Sequence, residues 1–233
     1  MKVLVIIPAY NESGNIVNTV SSLVTECPDV DYIIINDCST DNTKEVIKEQ
    51  GYNYLDLPVN LGIGGGIQTG YKYATEHDYD IAIQFDGDGQ HNALYIPKLI
   101  HAIEEGQADM VIGSRFIDCE GFQTSFMRRI GINIINAVIR MCTGYKITDA
   151  TSGFRATNKE LTAFFSKNYA QDYPEPEAIV TAIKNGFSVK DIPVVMNERL
   201  EGESSINAVK SFYYMIKVML AVLLQAAVLK RKR

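Results

Sequence analysis

Ile81-Ala82-Ile83-Gln84-Phe85-Asp86-Gly87-Asp88-Gly89-Gln90-His91 is the stretch on which the reading of this chain turns. The apolar run 81–85 reads as a buried strand, and the polar residues after it as the acidic mouth at its carboxyl end. Side chains i and i+2 of an extended chain share a face, so Asp86 and Asp88 are expected to converge on one point, and two converging carboxylates demand a cation. With the amide oxygen of Gln90 they offer hard oxygen donors, which suit Mg2+ or Mn2+ bridging to a diphosphate rather than zinc. Gly87 and Gly89 remove side chains that would crowd a bulky ligand and let the backbone turn just beyond the strand. An isolated Asp-Gly-Asp is more often a solvated turn, so the weight rests on what surrounds it.

Upstream, the same grammar appears twice. The run 3–7 is continuously apolar and β-branched, as in a parallel strand covered on both faces, and Pro8 is expected to end it. Residues Tyr10, Asn11, Glu12 and Ser13 then lie between that strand and a helix marked by Ile16, Val20, Leu23 and Val24, a place where open α/β sheets bind ligands. A second strand over 32–35 leads to a polar mouth containing Asp37, then a helix over 43–49. Ser39, Thr40 and Asp41 fit helix capping as well as they fit function.

A short third strand over 54–57 precedes Asn60-Leu61-Gly62-Ile63-Gly64-Gly65-Gly66, which reads as a glycine-rich turn entering a helix through Tyr71 and Ala74. A dinucleotide fingerprint belongs to the first strand-helix turn, which here is Pro-Ala-Tyr-Asn-Glu, so these glycines are expected to admit a nucleotide or a neighbouring strand instead. Downstream, a helix over 97–105 and a strand over 109–114 end at the cation Arg115. Strand-helix alternation predicts an α/β fold with a mostly parallel, Rossmann-like central sheet, helices on both faces and polar clusters at the strands' carboxyl ends.

A chain of 233 residues suffices for one such domain plus a tail. The net charge of -6 argues against a broad nucleic-acid surface. The four cysteines form no Cys-x-x-Cys pair and have no histidine at zinc-ligand spacing, so neither a cysteine metal cage nor a disulfide framework is indicated, and a reducing cytosol fits best. The run after Met1 lacks the basic flank, length and cleavage site of a signal peptide.

From Phe122 the character changes. Residues 126–142 place Ile130, Ile134, Ile135, Val138, Ile139 and Met141 at helical spacing beside Arg128, Arg129 and Arg140, an amphipathic helix with a basic shoulder that a core-packing helix would also explain. Residues 211–229 form a second apolar segment, interrupted by Lys217 and Gln225 and followed by Lys230-Arg231-Lys232-Arg233. Its length approaches the roughly 20 residues that cross a bilayer. Lys217 near the centre of a span would cost about 2.5–3.5 kcal/mol, and so a helix lying in the interface is preferred over a span or a fully soluble packing helix. Tyr173-Pro174-Glu175-Pro176-Glu177 opens another helix, where capping explains Pro176 and Glu177 as well as function does. A strand over 192–196 follows.

Pro8-x-Tyr10-Asn11-Glu12, Asp37 with Ser39-Thr40-Asp41, Asp86-x-Asp88-x-Gln90-His91, Gly113-Ser114-Arg115 and Ser152-Gly153-Phe154-Arg155, in this order, resemble the family-two glycosyltransferases of GT-A fold. The resemblance covers nearly the whole chain and is strongest to the dolichol-phosphate mannose synthase group and its bacterial polyprenyl-phosphate relatives. It implies a catalytic domain over 1–205, with its acceptor-side helix at about 126–142, and a membrane-interface helix with basic tail over 206–233. It further implies that Pro8, Tyr10, Asn11, Glu12, Asp37, Gly62, Asp86 and Gly87 hold the nucleotide, and that Asp86, Asp88 and Gln90 hold Mg2+ or Mn2+ with the sugar diphosphate. Arg115, Arg129, Arg199 and Ser204 would meet the acceptor phosphate, and Glu177 would line the sugar pocket. One departure stands out: the mannose synthases usually carry a lysine after the Gly-x-Ser of the late loop, where this chain has Gly202-Glu203-Ser204-Ser205.

The expected activity is inverting transfer from a nucleotide sugar (UDP-GlcNAc, UDP-glucose or GDP-mannose) to a polyprenyl monophosphate, undecaprenyl or dolichyl, at the cytoplasmic face of the membrane, for cell-wall or surface-glycan assembly. The chain would be peripheral or monotopic there, and a small membrane protein activator is a candidate partner. The alternatives are an enzyme extending a saccharide acceptor with Glu177 as base, and a non-catalytic nucleotide-sugar-binding scaffold.

Overall fold

The computed structural model describes residues 1–121, 124–197 and 208–229. Strands β1 (Val3–Ala9), β2 (Asp31–Asn36), β3 (Tyr54–Asp56), β4 (Ile81–Gln84), β5 (Met110–Ser114), β6 (Arg155–Asn158) and β7 (Val189–Pro193) form one seven-stranded sheet in the order β3-β2-β1-β4-β6-β5-β7. All pairings are parallel except those of β6, which runs antiparallel to both β4 and β5. The helices are α1 (Ile16–Glu26), α2 (Thr43–Glu49), α3 (Gly62–Glu76), α4 (Ile96–Glu104), α5 (Phe126–Thr143), α6 (Lys159–Phe165), α7 (Pro174–Lys184) and α8 (Ala208–Val228).

Alternation along β1 explains the two-sided core. Leu4 and Ile6 face one layer, with Tyr71 of α3, Phe165 of α6 and Ile179 of α7, while Val3, Val5 and Ile7 face the other, with Leu23 of α1 and Leu99 of α4. Every residue of β1 is buried, as its unbroken apolar sequence requires. The chain winds outward from β1 through β2 to β3, then returns to place β4 on the opposite side of β1. The β1–β4 boundary is therefore the topological switch point, where a crevice opens beyond the strands' carboxyl ends.

The structure corrects three local readings. Pro8 does not end β1, which continues to Ala9, and the parallel ladder runs on into the mouth through the Asp37 N–H to Ala9 carbonyl bond of 2.9 Å. Residues 62–66 are not a turn but the first turns of α3. A Cβ on Gly64 would stand 2.4 Å from the Ala170 carbonyl oxygen, and one on Gly70 2.2 Å from Ile6 Cγ2, so the glycines let α3 lie hard against the 170–171 loop and β1. The last strand is 189–193 rather than 192–196, with Pro193 at its end on the edge of the sheet.

Helix α8 packs along α5 and α7, burying Val218 and Val222, and Gln225 Nε2 donates to Thr181 Oγ1 at 2.6 Å. No helix among the described residues is long and apolar enough to cross a membrane.

Candidate active site

A cleft of about 400 Å3 opens at the switch point. Its walls come from the end of β1 (Pro8, Ala9, Tyr10 and Glu12), from Asp37 after β2, from the start of α3 (Asn60, Gly62, Ile63 and Gly66) and from Asp86, Gly87 and Asp88 after β4. Of the residues expected at the nucleotide, Pro8, Tyr10, Glu12, Asp37, Gly62, Asp86 and Gly87 line this cleft.

Asn11 is not among the residues lining the cleft, and its side chain braces the neighbouring loop. It sits in the left-handed region at φ 57°, and its Oδ1 accepts from the Thr40 and Asp41 N–H groups at 2.8 and 3.3 Å, while its own N–H donates to Ser39 Oγ. Asn11 thus ties the mouth of β1 to that of β2. The Ser39-Thr40-Asp41 segment proves to be bracing: Asp41 accepts from the Thr43 N–H, the Thr43 hydroxyl and the Ser13 N–H. Burial opposes ionisation of Asp41, but the hydrogen bonds from Thr43 and Ser13 outweigh it and hold its carboxyl below the ordinary value. Asp37 is 5% exposed, and its Oδ1 accepts the Leu61 N–H at 2.7 Å, joining the floor of the cleft to the entry of α3.

Asp86 lies past the end of β4 and Gly87 and Asp88 form a turn, so strand alternation does not place the two aspartates, although both line the cleft. A Cβ on Gly87 would stand 2.9 Å from the Pro8 carbonyl oxygen, so only glycine lets the turn lie against β1. Asp86 is braced on several sides: Gln84 Nε2 donates to its Oδ1 at 3.1 Å, its N–H donates to His91 Nδ1 at 2.9 Å, and His91 Nε2 stands 3.5 Å from its Oδ2. With Nδ1 accepting, the bonding assigns the proton of a neutral His91 to Nε2, facing the carboxylate. The buried imidazole is stacked on Phe154 at 4.9 Å between centroids. Asp88 Oδ1 accepts the Gln90 N–H, and the Gln90 carbonyl accepts from Asn197; Gln90 is not among the residues lining the cleft.

No cluster of three or more His, Cys, Asp or Glu side chains suited to a metal is found among the described residues. Asp86 and Asp88, neighbours among the carboxylates lining the cleft, nevertheless fit an ion such as Mg2+, which is commonly held by one or two carboxylates with substrate phosphates and water completing the shell.

Arg115 follows β5 directly and is locked to the fully buried Asp149, with Nε and Nη2 reaching the two carboxylate oxygens at 2.7 and 2.8 Å. Its Nη2 also reaches Thr151 Oγ1 at 3.1 Å. The guanidinium of Arg129, from α5, lies 3.5 Å from the Phe116 ring centroid, and that of Arg115 lies 5.0 Å from the same centroid. Two of the three arginines expected at the acceptor phosphate therefore share one aromatic platform. Arg199 and Ser204, expected beside them, lie outside the described residues.

Glu177 is half-buried in the first turn of α7, and burial, then the charge of Asp172, pushes its carboxyl up. Sequence reasoning passed over Glu175 two residues earlier. Burial raises its carboxyl too, against the pull of Arg155, and the charge of Asp86 adds to the rise, so Glu175 shares the electrostatic field of the acidic mouth. The signal was available in the alternation of Pro174-Glu175-Pro176-Glu177. Arg155 is fully buried and serves the backbone: Nη1 donates to the Glu175 carbonyl at 3.0 Å, and Nε to the Ser152 carbonyl at 3.1 Å.

A model of the family described as Glycosyl transferase family 2 matches residues 4–164. The chain belongs to glycosyl transferase family 2. Among its relatives is the polyprenol monophosphomannose synthase of Mycolicibacterium smegmatis, 29% identical over 230 residues, with 93% of this chain and 85% of that protein aligned. Another is a UDP-N-acetylglucosamine–dolichyl-phosphate N-acetylglucosaminyltransferase of Methanococcus voltae, 31% identical over 212 residues, covering 82% and 84%. Among solved structures, glucosyl-3-phosphoglycerate synthase of Mycobacterium tuberculosis, crystallised with Mn2+, UDP and phosphoglyceric acid, superposes with a TM-score of 0.75 over 97% of this chain and 79% of that one. At 17% identity that likeness speaks for the fold, which is the GT-A fold of this transferase family.

Proposed function

We propose that this family-two glycosyltransferase moves a sugar from a nucleotide sugar to the phosphate of a polyprenyl monophosphate, undecaprenyl or dolichyl, with inversion, at the cytoplasmic face of a membrane. One observation carries the reading. Asp149, which holds Arg115, and Gly153, which lies against Asp86, are four residues apart on one short loop, so a single loop links the forked cation Arg115 to the acidic cleft. Helix α5, which carries Arg129, exposes Phe126, Met127, Ile130 and Ile134. Phosphate-binding arginines between a nucleotide-sized cleft and an apolar surface suit an acceptor whose head is a phosphate and whose tail is a lipid.

In this reading Asp37, Glu12 and Tyr10 bind the nucleoside end of the donor, and Asp86 and Asp88 would hold Mg2+ or Mn2+. When bound, that ion supplies charge neutralisation for the departing diphosphate. Arg115 and Arg129, joined by Arg199 and Ser204, hold the acceptor phosphate in line with the sugar. A phosphate monoester has its second pKa at about 6 and is already mostly a dianion at neutral pH, so the protein need only orient it. In-line attack on an α-linked donor gives a β-linked lipid phosphate. The relatives act with mannose and N-acetylglucosamine donors; a UDP sugar is expected here because the late loop lacks the lysine usual in mannose synthases.

The test is transfer of radiolabel from UDP-GlcNAc, UDP-glucose and GDP-mannose into organic-extractable undecaprenyl or dolichyl phosphate, with Mn2+ or Mg2+. Label in the lipid, absent with Asp88→Ala, supports the reading; an α-linked product would defeat its stereochemistry. The raised proton affinity of Glu177 favours a second reading, a saccharide-extending transferase in which Glu177 deprotonates a sugar hydroxyl. Label passing to an oligosaccharide, and not to lipid phosphate, would establish that instead.

A further inference from the structure

The two arginines on Phe116 come from different elements, Arg115 from the end of β5 and Arg129 from α5, yet the hydrogen bonding joins them into one body. Asn136 lies seven residues after Arg129 on α5, two helical turns along the same face. Its Nδ2 donates to the Thr148 carbonyl at 2.7 Å, and its Oδ1 accepts the Ala150 N–H at 3.1 Å. A single side-chain amide thus clamps the backbone on both sides of Asp149. Asp149 is fully buried, and its carboxylate fixes Arg115 through Nε and Nη2. The circuit closes through the ring, since Arg129 and Arg115 both stand against Phe116.

The rest of the loop is fixed separately. Thr148 donates its N–H and hydroxyl to Asp191 at 2.5 and 2.6 Å, and Ser152 Oγ donates to the Gly113 carbonyl at 2.7 Å. These anchors hold the ends of the 148–152 segment to β7 and β5. Among the described residues, the amide of Asn136 connects its centre, where Asp149 sits, to α5. An ordinary packing residue would need no amide here, and a helix-capping residue would not face a loop from mid-helix.

We infer that Asn136 is a positioning residue for the acceptor-phosphate site: it couples α5 to the Asp149–Arg115 pair, so that Arg115 and Arg129 are presented at a fixed separation and move together. This rests on reading the two arginines as the acceptor-phosphate site. Because the outer face of α5 is apolar and exposed, seating that helix on a lipid surface orients both guanidiniums at once rather than Arg129 alone.

The test uses Asn136→Leu, which keeps the volume and removes the clamp, and Asn136→Asp, which keeps the acceptor for Ala150 but sets a carboxylate against the Thr148 carbonyl. The first readout needs no substrate. Hydrogen exchange of the Arg115 Nε–Hε resonance, assigned by its absence in Arg115→Lys, is expected to quicken about tenfold or more in both variants. The second is steady-state transfer: KM for polyprenyl phosphate rises about tenfold while KM for the nucleotide sugar is unchanged, and Asn136→Leu adds no further rise in an Arg115→Lys background. Unchanged Nε–Hε exchange would overturn the coupling. Equal rises in both KM values, or full additivity with Arg115→Lys, would reduce Asn136 to a general structural role and overturn the inference. If the wild-type protein transfers nothing to polyprenyl phosphate, the reading of the reaction fails, and the exchange measurement alone still decides the clamp.

Discussion

A Cβ on Gly153 would stand 2.6 Å from Asp86 Oδ2 and 2.8 Å from Gln84 Nε2. The Ser-Gly-Phe-Arg segment is therefore not a distant motif: its glycine is the surface against which the acidic mouth is moulded. Both obstructing atoms are ends of side chains, so Gly153→Ala is expected to fold, with overpacking costing about 1–3 kcal/mol. The carboxylate of Asp86 must swing away, and a displacement of that order at a reacting centre costs about 100-fold in kcat/KM. Circular dichroism against transfer rate separates the two effects. Wild-type turnover in a well-folded Gly153→Ala would mean that the position of Asp86 does not matter to the reaction.

An ion held by Asp86 and Asp88, with substrate phosphates completing its shell, would make donor and metal binding interdependent. Calorimetric titration of nucleotide sugar is expected to weaken about 100-fold on chelation of Mg2+ and Mn2+ and to recover with Mn2+, whereas Asp88→Ala is expected to bind weakly with or without the ion. Equal binding by the chelated and metal-loaded wild type would remove the ion from the site.

Asp149 carries a buried charge whose counter-ion is Arg115. Removing one partner of such a pair leaves the other poorly compensated, and Asp149→Ala is expected to lose about 3–5 kcal/mol in urea denaturation. A loss below about 1 kcal/mol would mean that Arg115 finds solvent or another partner at little cost.

The parallel half of the sheet was legible because its strands are buried on both faces and so read as unbroken apolar runs, as in 3–7 and 81–85. Strand β6 was not, because Arg-Ala-Thr-Asn carries no apolar pattern: Arg155 and Thr157 are buried by virtue of hydrogen bonds to carbonyl oxygens, which composition does not reveal. The cleft residues were legible because they follow strands directly. The work of Asn11 and His91 was hidden, since an asparagine in the left-handed region and a histidine stacked on Phe154 depend on neighbours far away in sequence. The glycines of α3 misled for a related reason. Their function is close approach to Ile6 and to the 170–171 loop, and a helix packed that tightly has the composition of a turn.

Glu175 gives a signed pH dependence. Its carboxyl lies above the ordinary 4.5 because burial and the charge of Asp86 outweigh Arg155. Between 4.5 and its folded value the folded state holds the proton more tightly than the unfolded chain, so the contribution to stability falls as pH rises through that window and stays low at neutrality. Glu175→Gln is expected to unfold at a higher temperature than wild type at pH 7, the gain shrinking on acidification and vanishing below about pH 4.5. A gain that persists unchanged at pH 4 would mean that the glutamine acts through packing rather than charge.

The outer face of α5 gives the last expectation. Phe126 and Met127 are 78% and 71% exposed, an unusual use of large apolar side chains on a chain of net charge -6, and Arg128 and Arg140 lie exposed on the same helix. Alongside, α8 exposes Leu220, Leu224 and Val228. Apolar side chains flanked by arginines match the boundary between acyl chains and anionic headgroups. Sedimentation with vesicles containing phosphatidylglycerol should therefore carry the protein down, less so as salt is raised. Burying one such side chain is worth about 1.5–3 kcal/mol, so Phe126→Asp with Met127→Asp should weaken vesicle binding by at least about 100-fold. Transfer to a short-chain, water-soluble polyprenyl phosphate should survive these changes, because both side chains are exposed while the Phe116 platform is built by Arg115 and Arg129. Equal loss with soluble and membrane-borne acceptors would mean that the face serves catalysis directly rather than delivering the enzyme to its lipid.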